Sequence, residues 1–363
     1  MNCPTNAREW IALSLLPKLG PVRVKWLRQQ QLPWPEGWMQ QLSGAQRSYL
    51  RFLLSDQATA QLSSSLAWED TNLRRAILHP AHAAWPPLLD ELDDPPMVLW
   101  ASGNLGCMTM PAVAVVGSRH ASLDGLHHAL LMARELAAAG MCVASGLARG
   151  IDAAAHRGAL EAAGATIGVL GCGIDLVYPA SHRALYQQVV AGDGLILSEF
   201  SPGTPARAGH FPRRNRIITG LCRGVLVVEA KQRSGSLVSA RLALEQNRDV
   251  FALPGALENP NAAGCLQLIQ QGAKLVTCAT DILEEYAAEQ WAVPKPTNVF
   301  DEPSETSHSL VDVLGATALS LDTIAVRSQL TPAECQLELQ WLELDNKVLR
   351  VPGGWVKKKV WTG

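Results

Sequence analysis

The densest chemistry in the chain lies between residues 207 and 216, where four of ten residues are arginine (Arg207, Arg213, Arg214, Arg216), interleaved with Phe211 and Asn215. Guanidinium forks bind phosphates through paired N–H donors, and an aromatic ring offers a stacking face worth about 1–3 kcal/mol per base. Arginine and aromatic together at a sheet edge read as a site for single-stranded nucleic acid. The competing reading is structural, with the same arginines held in ion pairs by Glu199, Glu229 and Glu245.

Three more stretches suit phosphate. Gly117-Ser118-Arg119 offers a glycine turn and a cation. Ser145-Gly146-Leu147-Ala148-Arg149-Gly150 sets two glycines, a hydroxyl and Arg149 just ahead of a helical pattern. Lys231-Gln232-Arg233-Ser234-Gly235-Ser236 is basic and rich in hydroxyls, but it lacks the Gly-Lys-Ser/Thr of an ATP-hydrolysing loop. Gly171-Cys172-Gly173 has no third glycine at the spacing of a dinucleotide fingerprint, which argues against NAD. Asp152 and His156 stand four residues apart, a spacing that reads as a local hydrogen bond. With no nucleophile elbow and no metal-ligand spacing, the sequence predicts no catalytic residue, no metal and no cofactor.

The elements that must position these residues follow from hydrophobic periodicity. Apolar runs at residues 113–116, 141–144, 165–170, 195–197, 225–228, 250–253 and 274–276 read as buried strands. Helix-length segments at 123–139, 151–163, 182–190, 237–246 and 265–271 lie between most of them. This alternation predicts an α/β fold: an extended Rossmann-like, doubly wound, mostly parallel sheet covered on both faces. In such sheets ligands sit beyond the carboxyl ends of the strands, where all four basic stretches fall.

Residues 1–84 read as a small helical domain, with Pro17-Lys18-Leu19-Gly20-Pro21 resembling the turn of a helix-hairpin-helix. The proline-dense stretches 85–89 and 94–100 read as an extended connector carrying one short strand into the sheet domain, 85–286, because proline at such density opposes helix. Residues 287–307 lose periodicity and read as a linker. Residues 308–363 give three short helices and a hairpin, a winged helix. Its third helix carries Glu334, Glu338 and Glu343 with no Arg or Lys, which favours protein contact over groove reading.

Composition bounds the rest. With 48% hydrophobic and 18% charged residues the chain reads as globular, and a net charge of −2 gives no bulk attraction to polyanions. Eight scattered cysteines without a C-x-x-C pair read as reduced, buried thiols of a cytoplasmic protein. No run reaches the length of a membrane helix.

The strings VAVVGSR, ASGLARGIDAAAH, GVLGCGIDLVYP, LSEFSPGTP, FPRRNRIITGL, VLVVEAKQRSGSL, VFALPG and LIQQGA, in that order, resemble the DNA-processing protein A family (DprA/Smf). The resemblance implies a homodimer without catalysis that binds single-stranded DNA, protects it and loads a RecA-type recombinase in natural transformation. It implies DNA contacts at Arg119, Phe211, Arg214, Asn215 and Arg216, and a dimer contact near Leu268 and Ile269. His182 stands where the family commonly has asparagine, and Leu266 replaces part of a Gly-x-Asn. The first departure bears on a polar contact in the crevice, the second on pocket detail or interface geometry. Two rivals remain: a nucleotide-processing enzyme such as a phosphoribohydrolase, and an adaptor that binds only protein. The enzyme's loop would need a carboxylate, and after Ser234 none appears before Glu245.

Overall fold

The computed structural model describes residues 2–289, 314, 318–328, 330–344, 347–351 and 353–357. The chain divides into two compact units, Met1–Pro296 and Thr297–Gly363.

The first unit opens with helices α1 (Ala7–Ser14), α2 (Pro21–Gln29), α3 (Glu36–Gln40), α4 (Gly44–Leu54) and α5 (Thr59–Leu66). Their starts follow sequence: Asn6 caps α1 by accepting from Glu9 N, and Ser43 with Gln46 forms a capping box on α4. Then come β1 (Arg75–Leu78), α6 (Pro87–Glu91), β2 (Leu99–Gly103), β3 (Ala112–Val116), α7 (Leu123–Ala138), β4 (Cys142–Ser145), α8 (Ile151–Glu161) and β5 (Thr166–Leu170). The unit continues with α9 (Arg183–Ala191), β6 (Leu195–Ser198), α10 (His210–Gly220), β7 (Gly224–Val227), α11 (Gly235–Glu245), β8 (Asp249–Ala252), α12 (Ala263–Gln270), β9 (Lys274–Leu275) and α13 (Ala279–Leu283).

These strands form one sheet in the order β1-β2-β6-β5-β4-β3-β7-β8-β9. It is parallel from β6 to β9, while β2 joins β6, and β1 joins β2, antiparallel. Every residue of β3 is buried, and alternate side chains enter different cores. Ala112, Ala114 and Val116 face the layer that includes Ile217, Ala240 and Leu268; Val113 and Val115 face α7 and α8. The latter two helices touch backbone to backbone, because a Cβ at Gly158 would press on the carbonyl of Leu130.

Three differences from the sequence reading have physical causes. The proline-rich connector holds a short helix, α6, because Pro87 sits at its first position, where the missing N–H has no intrahelical partner to lose. The helical region does not end as a separate body at residue 84. β1 pairs into the sheet, and Trp10, Leu27 and Trp38 share one apolar cluster with Leu170, Leu185 and Ile196. Arg213, Arg214 and Arg216, read only as lying at a sheet edge, stand on a helix, α10. In the expected hairpin turn near the N-terminus, Lys18 adopts φ +61°, a conformation in which glycine is at ease.

In the second unit, α14 (Leu321–Ser328) and α15 (Pro332–Leu344) pack with a hairpin of β10 (Val348–Val351) and β11 (Gly354–Lys357) around Ile324, Leu339 and Trp355. Thr331 and Glu334 cap α15 reciprocally, Thr331 N donating to Glu334 at 2.8 Å and Thr331 Oγ1 accepting from Glu334 N at 3.3 Å. The expected helix at 310–314 lies outside the described residues except for Leu314, and the expected linker does so from residue 290 onward.

Three histidines, His79, His156 and His182, are buried in the first unit. His156 donates through Nδ1 to Thr166 Oγ1 at 2.7 Å, and burial pulls its pKa down to about 3. His79 stacks on Trp10 with ring centroids 6.3 Å apart, and burial lowers its pKa to about 4. Both values lie below that of a histidine in an unfolded chain, so the unfolded chain takes up protons first as pH falls. Stability present above about pH 6.5 is therefore lost progressively toward pH 4, by at most about 1.4 kcal/mol per pH unit for each histidine. Urea midpoints between pH 7 and 4 should fall accordingly, and His156→Asn, which retains an N–H for Thr166, should flatten part of that slope.

Candidate nucleic-acid interface

From β3 the chain winds through β4, β5 and β6 to one side of the sheet and then returns through β7, β8 and β9 on the other. The connections leave β3 and β7 in opposite directions, so their carboxyl ends part and open a crevice. A cleft of about 680 Å³ occupies this place, lined by the turn after β3, by one face of α10 and by the loop from β7 into α11.

The turn is held rigidly. Ser118 N donates to Glu229 O at 2.8 Å, and Ile151 N donates to Ser118 O at 3.2 Å. Gly117 is required, because a Cβ there would strike Ile151 and the Glu229 carbonyl. Arg119 is exposed, with its Cζ 5.5 Å from the centroid of the Phe211 ring. Phe211 packs over Gly171, leaving that position no room for a side chain, and lies 5.4 Å from the Tyr178 ring at 41°. A cation and two aromatic rings thus border one side of the cleft.

Exposed Lys231 and Arg233 border the other side, followed by Ser234, Gly235 and Ser236. Ser234 Oγ and Ser236 Oγ are 2.7 Å apart, and Ser234 makes no side-chain cap on α11. The first N–H groups of α11, which no carbonyl of the helix can reach, begin at this wall. Among the residues lining the cleft, five are Arg or Lys and Asp152 is the one carboxylate, so positive charge predominates there.

Arg214 is 4% exposed. Its Nη1 donates to Gly146 O at 2.7 Å and to the carbonyl of Val169. Asp152 Oδ2 accepts from Gly146 N at 3.1 Å and Ala148 N at 3.4 Å. Burial lowers the Arg214 pKa to about 10, with the Asp152 charge working against that shift, so the guanidinium stays charged at neutral pH. Burial likewise raises Asp152, opposed by Arg214 and by the two N–H donors. Arg214 lines the cleft as a fixed charge whose donors are largely engaged by the protein.

The arginine cluster splits because α10 is a helix. Phe211, Arg214, Asn215 and Ile218 share the cleft face; Arg213 and Arg216 lie on another. Arg216, 4% exposed, pairs with Glu199 at 2.5 Å and Asp94 at 2.9 Å, while Arg213 pairs with Glu199 at 3.3 Å. For these two the ion-pair reading describes the geometry. Glu229 is held instead by Ser122, whose Oγ donates to its Oε1 at 2.5 Å and whose N donates to its Oε2 at 2.9 Å, which places the carboxylate at the N-terminus of α7.

Other expected residues also fall elsewhere. Ser145 Oγ donates to Val115 O at 2.7 Å and is fully buried. Gly146 is buried beneath Arg214, and Arg149 is exposed without lining the cleft. Leu268 points into the main core and is 7% exposed, whereas Ile269 is half-buried at its margin. Asp152 and His156 do not bond each other; their partners are backbone N–H groups and Thr166. His182 makes a polar contact, its Nδ1 donating to Leu147 O at 2.9 Å. Arg207 and Arg233, members of the basic stretches, do line the cleft, and so do His120 and Tyr178, which composition and spacing do not single out. The one signal for these last two is position, each lying within a few residues of a turn that follows a strand's carboxyl end.

The fold agrees with comparisons to known proteins. Residues 76–287 match the family model for DNA recombination-mediator protein A, and residues 294–354 match that for the DprA winged helix domain. Protein Smf of Escherichia coli K12 is 40% identical over 326 residues, covering 88% of this chain and 86% of that one. Among solved structures, DNA processing protein A from Streptococcus pneumoniae aligns with a TM-score of 0.61 at 36% identity, covering 77% of this chain and 93% of the other. A second, from Helicobacter pylori and described for its single-stranded DNA binding mode, aligns with a TM-score of 0.53 at 30% identity, covering 61% and 99%. On the extent of these matches, the chain belongs to the DNA recombination-mediator protein A family.

Proposed function

We propose that the cleft binds single-stranded DNA and that the chain serves DNA processing in natural transformation, protecting the strand and passing it to a RecA-type recombinase. The observation that carries this reading is the convergence of Arg119, Phe211, Tyr178 and Lys231 around one predominantly basic cleft at the switch point of the sheet. Phosphates would meet Arg119, Lys231 and the start of α11, with the fixed charge of Arg214 beneath, and a base would stack on Phe211 and Tyr178. A duplex keeps its base faces stacked inside, so the rings favour an unpaired strand. The Helicobacter pylori relative, described as binding single-stranded DNA, supports the same assignment. No step of this role needs a catalytic group, and Asp152, the one cleft carboxylate, is tied to backbone N–H groups. We place the homodimer contact on the margin of α12 around Ile269, since Leu268 faces the core.

Anisotropy of labelled oligo-dT and of a matched duplex, titrated at several salt concentrations, tests the assignment. The single strand should bind more tightly, with affinity falling as salt rises. Arg119→Ala should weaken binding and reduce the salt slope by about 0.7 for each phosphate left without its cation. Phe211→Ala should cost about 1–3 kcal/mol with the salt slope unchanged. Equal affinity for the duplex, or a slope indifferent to Arg119, would sink the reading.

Gly146→Ala makes a separate prediction. Its Cβ would collide with the Arg214 guanidinium and Asp152, so the variant should lose about 1–3 kcal/mol of stability to overpacking and bind oligo-dT more weakly. A variant with native melting temperature and affinity would show that Arg214 does not hold this position.

A further inference from the structure

We propose that His182, which does not line the cleft, is a positioning residue that sets the shape of the cleft through the carbonyl of Leu147. This rests on the reading of the cleft as a single-strand site. Leu147 is fully buried with φ +53°, a left-handed conformation that a residue bearing a side chain rarely adopts. A residue stays there only when its surroundings hold it. The contact in place is His182, 8% exposed, whose Nδ1 lies 2.9 Å from Leu147 O. A carbonyl oxygen only accepts, so Nδ1 carries the hydrogen.

Leu147 sits in the loop that joins β4 to α8, and this loop touches both Arg214 of α10 and the turn after β3. On one side of Leu147, Gly146 O receives Arg214 Nη1 at 2.7 Å. On the other, Gly150 at φ +77° lies so close to Ser118 and Arg119 that a Cβ would not fit, and the next residue donates its N–H to Ser118 O at 3.2 Å. Release of the Leu147 carbonyl lets this backbone relax out of the left-handed region. Both the buried guanidinium and the turn bearing Arg119 then lose a fixed neighbour. His182 thus acts at a distance through one hydrogen bond, and the requirement is for an N–H at the δ position, whatever group carries it.

The test compares His182→Asn, whose Nδ2–H replaces the imidazole Nδ1–H, with His182→Ala, which removes the donor, and His182→Gln, which moves it one bond further out. Amide hydrogen exchange of the full chain reads the loop directly. Residues 146–151 and 118–120 should exchange about tenfold faster in the Ala and Gln variants, at the native rate in the Asn variant, and with the remaining sheet unchanged. Oligo-dT affinity should fall about tenfold in the Ala and Gln variants and stay within twofold of native in the Asn variant. If His182→Ala does not fold, the Asn and Gln variants carry the same contrast. An Asn variant that behaves as badly as Gln, or an acceleration spread evenly over the whole sheet, overturns the proposal. Absence of oligo-dT binding by the native protein would defeat the assignment of the cleft while leaving the exchange pattern to decide the role of His182.

Discussion

A buried guanidinium governs the architecture of the cleft. Moving a charge out of water is costly unless hydrogen bonds and an opposite charge replace the solvent. For Arg214 those replacements are the carbonyls of Gly146 and Val169 and the carboxylate of Asp152. Three segments distant in sequence, the end of β5, the loop after β4 and helix α10, are thereby tied at one point. The demand reaches further. Gly146 can have no side chain, and Asp152 must commit its acceptor capacity to the same loop. The aromatic ring and the exposed cations keep their places around a centre whose own donors are engaged.

Charge is sorted locally in a chain whose net charge is only −2. Glu229 stands beside the basic loop after β7, where its charge would oppose any anion, but Ser122 and the N-terminus of α7 hold it. Glu199 is occupied by Arg213 and Arg216 on the far face of α10. The carboxylates nearest in sequence to the cleft are thus committed elsewhere, while Arg119, Lys231 and Arg233 keep open sides toward it. The same logic explains the free end of α11, where Ser234 leaves its helix without a side-chain cap.

Periodicity revealed the sheet, because strands buried on both faces are written as near-continuous apolar runs, and β3, β5 and β7 are of this kind. It revealed the crevice as well, since parallel winding places every basic turn at the same end. The helical nature of the arginine stretch stayed hidden because α10 contains Pro212 and a polar majority, so its apolar period appears only at Ile217 and Ile218. Once that period is known, the separation of Arg214 from Arg216 follows. β1 leaves no such signal, because a short antiparallel edge strand in an otherwise helical region carries too few residues to show alternation. The bond from His182 to Leu147 joins residues 35 apart, and no local pattern announces it.

The cluster shared by the N-terminal helices and the flank of the sheet has an evolutionary consequence. Trp10, Leu27 and Trp38 share one apolar cluster with Leu170 and Ile196 of the sheet and with Leu185 and Val189 of α9. An ancestor that gained or lost the leading segment could not have done so by simple fusion or excision, because the bare flank would be an adhesive apolar surface. Relatives built without it must carry polar substitutions at those four positions or cover them with something else. The presence of the leading helices should therefore be written twice in any lineage, once in those helices and again, as hydrophobicity, far downstream in β5, α9 and β6.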